Sequence, residues 1–350
     1  MTNARFSIAG RAIGSGEPPY VIAELSGNHN GDIARAFRLI DAAKAAGCDA
    51  VKLQTYTADT ITIDHDSTEF RIEGGPWDGR SLYELYGEAH TPWEWHEPLF
   101  AYARKAGIAC FSSPFDESAV DFLETLGAPA YKIASFEVVD TPLIRYAAKT
   151  GKPLIISTGM ATLDEIGEAV AAAQEAGAGG VTLLHCISAY PAPAEEANLA
   201  RIGALAARFG LPVGLSDHTL GAEVSISAVA LGAVVIEKHI TLARADGGPD
   251  AVFSLEPVEF RTLVDGVKTA QRALGQADYG RTRSEAPNLK FRRSLYAVKD
   301  IAAGERLTSE NIRSIRPGYG LAPKYFEEVV GRRATKDIKR GTPISWDLLE

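Results

Sequence analysis

Two short polar clusters carry residue types that divalent-metal chemistry uses. GLSDHT at 214–219 emerges from the run VGL, and EKHI at 237–240 follows AVVI, as though each polar group were perched where a buried strand ends. His218 and His239, with Asp217 and Glu237 beside them, could converge on one divalent cation. A lone histidine is more often a satisfied structural residue. The metal reading gains weight because every other strand-like run of the chain also ends in polar groups.

Those terminal groups are Glu24, then Asn28 and His29; Lys52 and Gln54; Ser112 and Ser113; and Lys132, Ser135 and Glu137. The second half adds Ser157 and Thr158; His185, Ser188 and Tyr190; Ser216, Asp217 and His218; and Glu237, Lys238 and His239. Lys52 and Lys132 alternate with apolar residues inside their runs, so their ammonium groups should point into a common interior, where an unpaired charge is costly. Hydroxyls around two lysines suit a phosphate, or a phosphate with a carboxylate. The plainer reading is an ion network in which these lysines pair with Glu24 and Glu137, and the two readings are compatible. Two imidazoles with oxygen ligands suit Mn, Fe, Co or Zn, and Mg less well, leaving open positions for water and substrate. His65, His90 and His96 show no ligand spacing.

The elements that must position these groups recur eight times. Strand-like runs occur at YVIAEL (20–25), DAVKLQ (49–54), IACFSS (108–113), AYKIAS (130–135), PLIIST (153–158), VTLLHC (181–186), PVGLS (212–216) and VVIEKH (234–239). Helix-like segments lie between them. Residues 32–46 put Ile33, Phe37, Ile40 and Ala43 on one face. Residues 162–176 open with a capping box at Thr162 and Glu165. Residues 257–274 have Pro257 in the first turn, a stripe of Phe260, Leu263, Val264, Val267 and Leu274, and Gly275 past the end. This alternation predicts an α/β (β/α)8 TIM barrel over 1–275, with the polar strand ends gathered at its C-terminal mouth. An open doubly wound sheet shares the alternation, but no GxGxxG follows the first strand. FSIAGRAIG predicts an N-terminal hairpin.

One unit is irregular. Between 55 and 91 the chain inserts a segment far longer than an ordinary loop, placed to lie over the mouth as a lid or specificity element. A surface decoration is the alternative; Trp77, Arg80, Tyr83 and Tyr86 favour ligand or subunit contact. From 276 the composition changes. QADYGRTRSEAPNLKFRR has five basic residues and no apolar run, so 276–290 reads as a linker. Residues 291–350 read as a small, β-rich, glycine-punctuated domain whose marginal core should dock on something, in cis or on a neighbouring subunit.

The 350 residues allow one large domain with an appendage. No apolar run approaches a membrane span, and MTNARFSIAG lacks a signal-peptide core. Cys48, Cys110 and Cys186 are far apart in apolar contexts, which predicts reduced thiols and a cytoplasmic home. A net charge of −9 argues against a nucleic-acid surface but not against a local phosphate site.

AELSGNHNG (23–31), KLQTY (52–56), FSSPFD (111–116), YKIASFE (131–137), STGMAT (157–162), HCISAYP (185–191), GLSDHT and EKHI together resemble the sialic acid (nonulosonic acid) synthase family. RPGYGLAP (316–323) and GRRATKDIKRG (331–341) resemble that family's antifreeze-like SAF (β-clip) domain. The resemblance spans the whole chain, motif order included. It implies condensation of phosphoenolpyruvate with an N-acetylated hexose, giving a nine-carbon sugar acid and phosphate. It further implies a divalent metal (Mn, Mg or Co) on His218 and His239 that polarises the sugar aldehyde, with Glu24, Asp217 and both histidines catalytic. Lys52, Ser113, Lys132, Ser135, Ser157, Ser188 and Ser216 would hold phosphoenolpyruvate. Glu24 would also orient water or sugar hydroxyls, and Gln54, Glu137, Tyr190 and Asp250 would face the sugar. Family members form swapped homodimers, which would bring Arg316 to the partner's sugar.

Within the family, AELSGNHNG, GGPWDGRSLYELYGEAHTPWEWH (74–96) and FSSPFD resemble the pseudaminic acid branch. Ser113 and Ser188 stand where the neuraminic acid branch more often has Thr and Asn. The implied sugar is therefore a 6-deoxy diacetamido hexose of altro configuration rather than N-acetylmannosamine. The nearest rival is a neuraminic or legionaminic acid synthase of the same mechanism. More distant are a Schiff-base aldolase using Lys132 or Lys52, and a carbohydrate- or ice-binding protein. The charges of KDIKRG and GRR suit ice poorly.

Overall fold

The computed structural model describes residues 5–350, so the first four residues of the N-terminal segment read above lie outside the described residues. The chain divides into two compact units, Met1–Gly275 and Gln276–Glu350.

In the first unit, β1 (Phe6–Ile8) and β2 (Arg11–Ile13) pair as the expected antiparallel hairpin. Eight parallel strands follow: β3 (Tyr20–Glu24), β4 (Ala50–Thr55), β5 (Ala109–Pro114), β6 (Tyr131–Ile133), β7 (Pro153–Ser157), β8 (Gly180–Cys186), β9 (Val213–Asp217) and β10 (Val235–His239). They close in the order β10-β3-β4-β5-β6-β7-β8-β9, the (β/α)8 barrel that the alternation predicts. Residues at period two divide between two environments. One set packs outward on the helices around Val51, Leu53, Ile156, Leu183, Leu215 and Ile236. The other fills the barrel. Its lower layer is apolar, with Tyr20, Ile22, Ala50, Phe111, Ala130, Ile155, Leu184 and Val235 packed together with Ile8 and Ile13 of the hairpin. The hairpin thus plugs the N-terminal end, and any polar interior must lie at the other.

The helix Ile33–Ala46 is capped by Asp32, which accepts from the amide of Ala34. Ile40 and Ala43 are buried as expected and Ile33 and Phe37 partly so, but Arg35 is buried as well. Its guanidinium donates to the Asn28 carbonyl (2.7 Å) and Thr241 (3.3 Å) and pairs with Asp246 at 2.6 Å. It therefore ties the loop after β3 to the loop after β10. The Thr162 capping box is present on the helix Leu163–Glu175. In the helix Pro257–Leu274, Phe260, Leu263, Val264 and Val267 are buried. Leu274 does not continue the stripe; it is 52% exposed, because it is the last helical residue before Gly275 turns the chain away.

The second unit holds a two-stranded antiparallel sheet of β11 (Ser294–Ala297) and β12 (Ile312–Ile315). Single β-bridges such as Ile301 to Ile338 and Ala334 to Leu349 extend it. Its core is Leu295, Ile301, Leu307, Ile312, Val329, Ile338 and Ile344. Residues 276–288 are exposed throughout. Among the described residues, no helix is long and apolar enough to cross a membrane.

Candidate active site at the barrel mouth

Above the apolar layer, the same inward positions become polar. Two residues on from Ile22, Ala50, Phe111, Ala130, Ile155, Leu184 and Val235 stand Glu24, Lys52, Ser113, Lys132, Ser157, Cys186 and Glu237. Gln54 and His239 follow one step higher, and all but Gln54 are buried. The period-two geometry of eight parallel strands therefore gathers groups scattered over more than two hundred residues.

One side of the mouth is ionic. The Lys52 ammonium lies 2.8 Å from Glu24 and 3.5 Å from Glu237, and it donates to the Ser113 hydroxyl at 3.2 Å. Lys132 is 3.7 Å from the same Glu237 oxygen, to which Ser216 also donates at 3.3 Å. Gln54 donates to Glu24 at 2.9 Å. Burial alone would neutralise such groups. At Glu237 the ammoniums of Lys132 and Lys52 outweigh burial and hold the carboxyl below its usual range. For Glu24 burial wins and the carboxyl is pushed up. Burial likewise holds Lys132 below the usual lysine range, with the Lys52 charge acting in the same direction. The counter-ions are Glu24 and Glu237, not the expected Glu137. Glu137 lies on the turn Ser135–Glu137 after β6, where burial pushes its carboxyl up to about 7 and leaves Oε2 without a hydrogen-bond partner. Ser157 Oγ and Glu237 Oε2 are also buried and unpartnered. Such atoms are costly unless a ligand or water meets them.

Beside the lysines, Ser135 accepts from the Gly159 amide at 3.3 Å. A Cβ at Gly159 would collide with the hydroxyls of Ser135 and Ser188. The three residues form a cradle that only glycine leaves open.

Next to this cluster, His239 stands in register with Glu24, two residues beyond Glu237, and its ring lies 5.4 Å from that of His218. His218 donates from Nδ1 to the Ile187 carbonyl at 3.1 Å, which leaves Nε2 as the lone-pair nitrogen. Burial and nearby cations hold His239 neutral, well below the usual imidazole range, and its Nδ1 is buried without a hydrogen-bond partner. Burial alone would lower His218, but the hydrogen bond to and charge of the Cys186 sulfur outweigh it and raise this imidazole above its usual range. A divalent cation on His218 Nε2 and on His239 would stand in place of that proton and keep its other positions for water or substrate. Among the described residues, no group of three or more His, Cys, Asp or Glu forms a fuller metal cage. Asp250 lies 3.8 Å from His239 and accepts from Ser26. Tyr190 packs on His218, with ring centroids 4.5 Å apart.

Several sequence-selected residues are elsewhere. Asp217, expected to be catalytic, points out of the barrel: it accepts from Ser225 (2.6 Å) and Thr219 (2.7 Å) and pairs with Lys238 at 2.8 Å. The reason is parity, since its neighbours Ser216 and His218 take the inward positions. Its carboxylate braces the strand end that carries His218. Lys238 and Ser112 face outward for the same reason. His185 is bonded to the Ala197 carbonyl beneath the helices, and Asn28 clamps the β3 loop to Ile240 and Ser254. Arg316 belongs to the second unit and is exposed. Sequence reasoning also missed Cys186, a free thiol whose Sγ lies 3.7 Å from His218 Nδ1; its two-residue spacing from interior Leu184 was the available signal. Gly159 gave no such signal.

A closed barrel with charged, hydroxyl and imidazole groups at the C-terminal ends of its strands is that of a (β/α)8 enzyme. Residues 39–279 match the NeuB family, and residues 292–350 match the SAF domain. The pseudaminic acid synthase of Campylobacter jejuni subsp. jejuni serotype O:2 is 47% identical over 322 residues, covering 92% of this chain and 94% of that protein. The pseudaminic acid synthase of Helicobacter pylori is 44% identical over 338 residues, with 95% and 98% covered. Among solved structures, the N-acetylneuraminic acid synthetase of Leptospira borgpetersenii serovar Hardjo-bovis in complex with citrate is similar at a TM-score of 0.74 and 31% identity. That match covers 83% of this chain and 96% of the other. The chain belongs to the NeuB family and carries a C-terminal SAF domain, as its motifs indicated. It is a carbon–carbon bond-forming synthase of the transferase class.

Proposed function

We propose that this chain is a pseudaminic acid synthase, condensing phosphoenolpyruvate and water with 2,4-diacetamido-2,4,6-trideoxy-L-altrose to give pseudaminic acid and phosphate. The observation that carries this reading is one mouth that holds two buried lysines, a hydroxyl cradle and two facing imidazoles. Phosphoenolpyruvate is a small polyanion, and Lys52 and Lys132 are the cations that would receive it, with Ser113, Ser135, Ser157, Ser188 and Ser216 as hydroxyl partners. Burial depresses Lys132; an anion beside it would raise it again and be held by its ammonium. His218 and His239 would hold a divalent metal (Mn, Mg or Co), which when bound supplies Lewis-acid polarisation of the sugar aldehyde.

In the reaction, carbon 3 of phosphoenolpyruvate forms a bond to the aldehyde carbon. Water adds to carbon 2, and the C–O bond to phosphate then breaks. The Lys52–Glu24 pair stands between the anion side and the imidazoles, so Glu24 is the carboxylate that would orient the water or a sugar hydroxyl, with Gln54 steadying it. Glu137, Tyr190 and Asp250 lie on the side left for the sugar. We also infer a swapped homodimer, in which the SAF domain of one chain caps the barrel of its partner and presents Arg316 to the sugar.

The similarity to pseudaminic acid synthases at 44–47% identity favours this branch. Similarity to the Leptospira enzyme keeps a neuraminic acid synthase as the second reading, and 40% identity to an N,N'-diacetyllegionaminic acid synthase of Campylobacter jejuni keeps a legionaminic acid synthase beside it, with the same mechanism. The test is phosphate release from phosphoenolpyruvate with Mn²⁺ and either the altro diacetamido sugar or N-acetylmannosamine. Turnover only with the first is expected; turnover only with the second would overturn the substrate assignment.

A further inference from the structure

The insertion after β4 brings Trp77 to the mouth. The Trp77 indole donates from Nε1 to the Pro249 carbonyl at 2.9 Å, which pins the ring to the loop after β10. Its centroid is 5.6 Å from that of Tyr190. Tyr190 packs in turn on His218 and, at 5.3 Å, on Phe253; Phe253 lies 5.0 Å from His239. The two imidazoles therefore stand between an ionic side and a continuous run of aromatic rings, of which Trp77 is the outermost. Its only hydrogen-bonding atom is already used by Pro249, so toward the mouth the indole offers hydrocarbon alone.

Resting on the function proposed above, we infer that Trp77 is the specificity determinant that selects a methyl over a hydroxymethyl group at the far end of the sugar. An open-chain hexose with its aldehyde at the imidazoles must lead away from the lysines, which the phosphoenolpyruvate occupies. That direction runs along the aromatic rings, and the last carbon of the chain comes to the last ring. A methyl group there loses water favourably. A hydroxyl there would give up its hydration for a face with no free donor or acceptor. Apolar pockets discriminate between such substrates by about 10- to 100-fold.

The experiment compares kcat/KM for the 6-deoxy diacetamido altrose and its 6-hydroxy counterpart in the full-length enzyme and in two variants. The wild type should favour the 6-deoxy sugar by about 10- to 100-fold. Trp77→Ala should bring the ratio close to one, chiefly by raising KM for the 6-deoxy sugar, while KM for phosphoenolpyruvate stays put. Trp77→His keeps a flat ring but adds a polar nitrogen, so it should shift preference toward the 6-hydroxy sugar even if the alanine variant does not fold. A wild-type ratio retained in both variants, or absent in the wild type, overturns the role of Trp77 and leaves the synthase reading standing. A wild type that turns over neither sugar removes the synthase substrate and this inference with it.

Discussion

Lys52 and Glu24 face each other 2.8 Å apart from paired positions on adjacent barrel strands, both almost wholly buried. Removing one partner of a buried pair strands the other charge at a cost of about 3–5 kcal/mol. Lys52→Met and Glu24→Gln should each lower the stability of the barrel by that order. The double variant should lose less than the two together, by at least about 1 kcal/mol, because the groups are coupled. Thermal and urea unfolding of the four proteins test this, and strict additivity would show that the two side chains do not depend on each other.

The contrast between His218 and its neighbour Asp217 separates chemistry from bracing. His218→Ala removes an imidazole that faces the mouth, so Mn²⁺-dependent phosphate release should fall by about 100-fold or more, since a few kcal/mol of transition-state stabilisation is lost. The melting temperature should hardly move, and calorimetric Mn²⁺ binding should weaken. Asp217→Asn breaks the outward pair with Lys238, so it should lower the melting temperature while leaving a larger share of turnover. Full activity in His218→Ala would remove the metal assignment.

Acid sensitivity should trace to buried histidines. His96 is fully buried: its Nδ1 donates to the Pro92 carbonyl, so Nε2 accepts from Thr55, whose oxygen meets Ser112. Burial lowers its pKa from 6.5 to about 4, and burial does the same for His29. Between pH 6.5 and 4 the unfolded chain therefore binds protons that the folded chain refuses. The stabilisation is complete above 6.5 and is lost as pH falls, by about 3 kcal/mol per histidine. Glu137 opposes it, because a carboxyl raised to about 7 keeps its proton in the fold and favours the lower pH. His96→Gln should flatten the decline of melting temperature below pH 6.5, and Glu137→Gln should steepen it. Parallel profiles in all three proteins would refute the assignment.

Spacing along single strands made the barrel and most of its mouth legible. Lys52 and Gln54, or Glu237 and His239, differ by two residues, so an apolar residue below predicts a shared interior. Contacts across strands are not written that way. That Lys132 meets Glu237 rather than Glu137 follows from how β6 and β10 come round to one another in the closed barrel. Asp217 looked catalytic because it adjoins His218, yet adjacent strand residues face opposite ways. Cys186 passed for a core thiol because it is small and apolar enough to be one. Gly159 carries no side chain to read, and its part emerges only where two hydroxyls crowd the space that its missing Cβ would fill.

The swapped dimer can be tested without imaging it. Take one chain carrying His218→Ala and a second carrying Arg316→Ala, each nearly inactive alone. If the SAF domain caps its partner's barrel, a mixed dimer holds one site with neither substitution, formed by the intact barrel of the second chain and the intact SAF domain of the first. Its other site holds both substitutions. If each SAF domain served its own barrel, every site in the mixture would carry one. Co-refolding the two variants should therefore restore phosphate release well above either alone, with sedimentation showing dimers throughout. The Arg316→Ala homodimer should show a raised KM for the sugar and little change for phosphoenolpyruvate, since a residue presented from the cap meets the sugar rather than the lysines. Mixtures no more active than their parts would exclude a partner-borne Arg316.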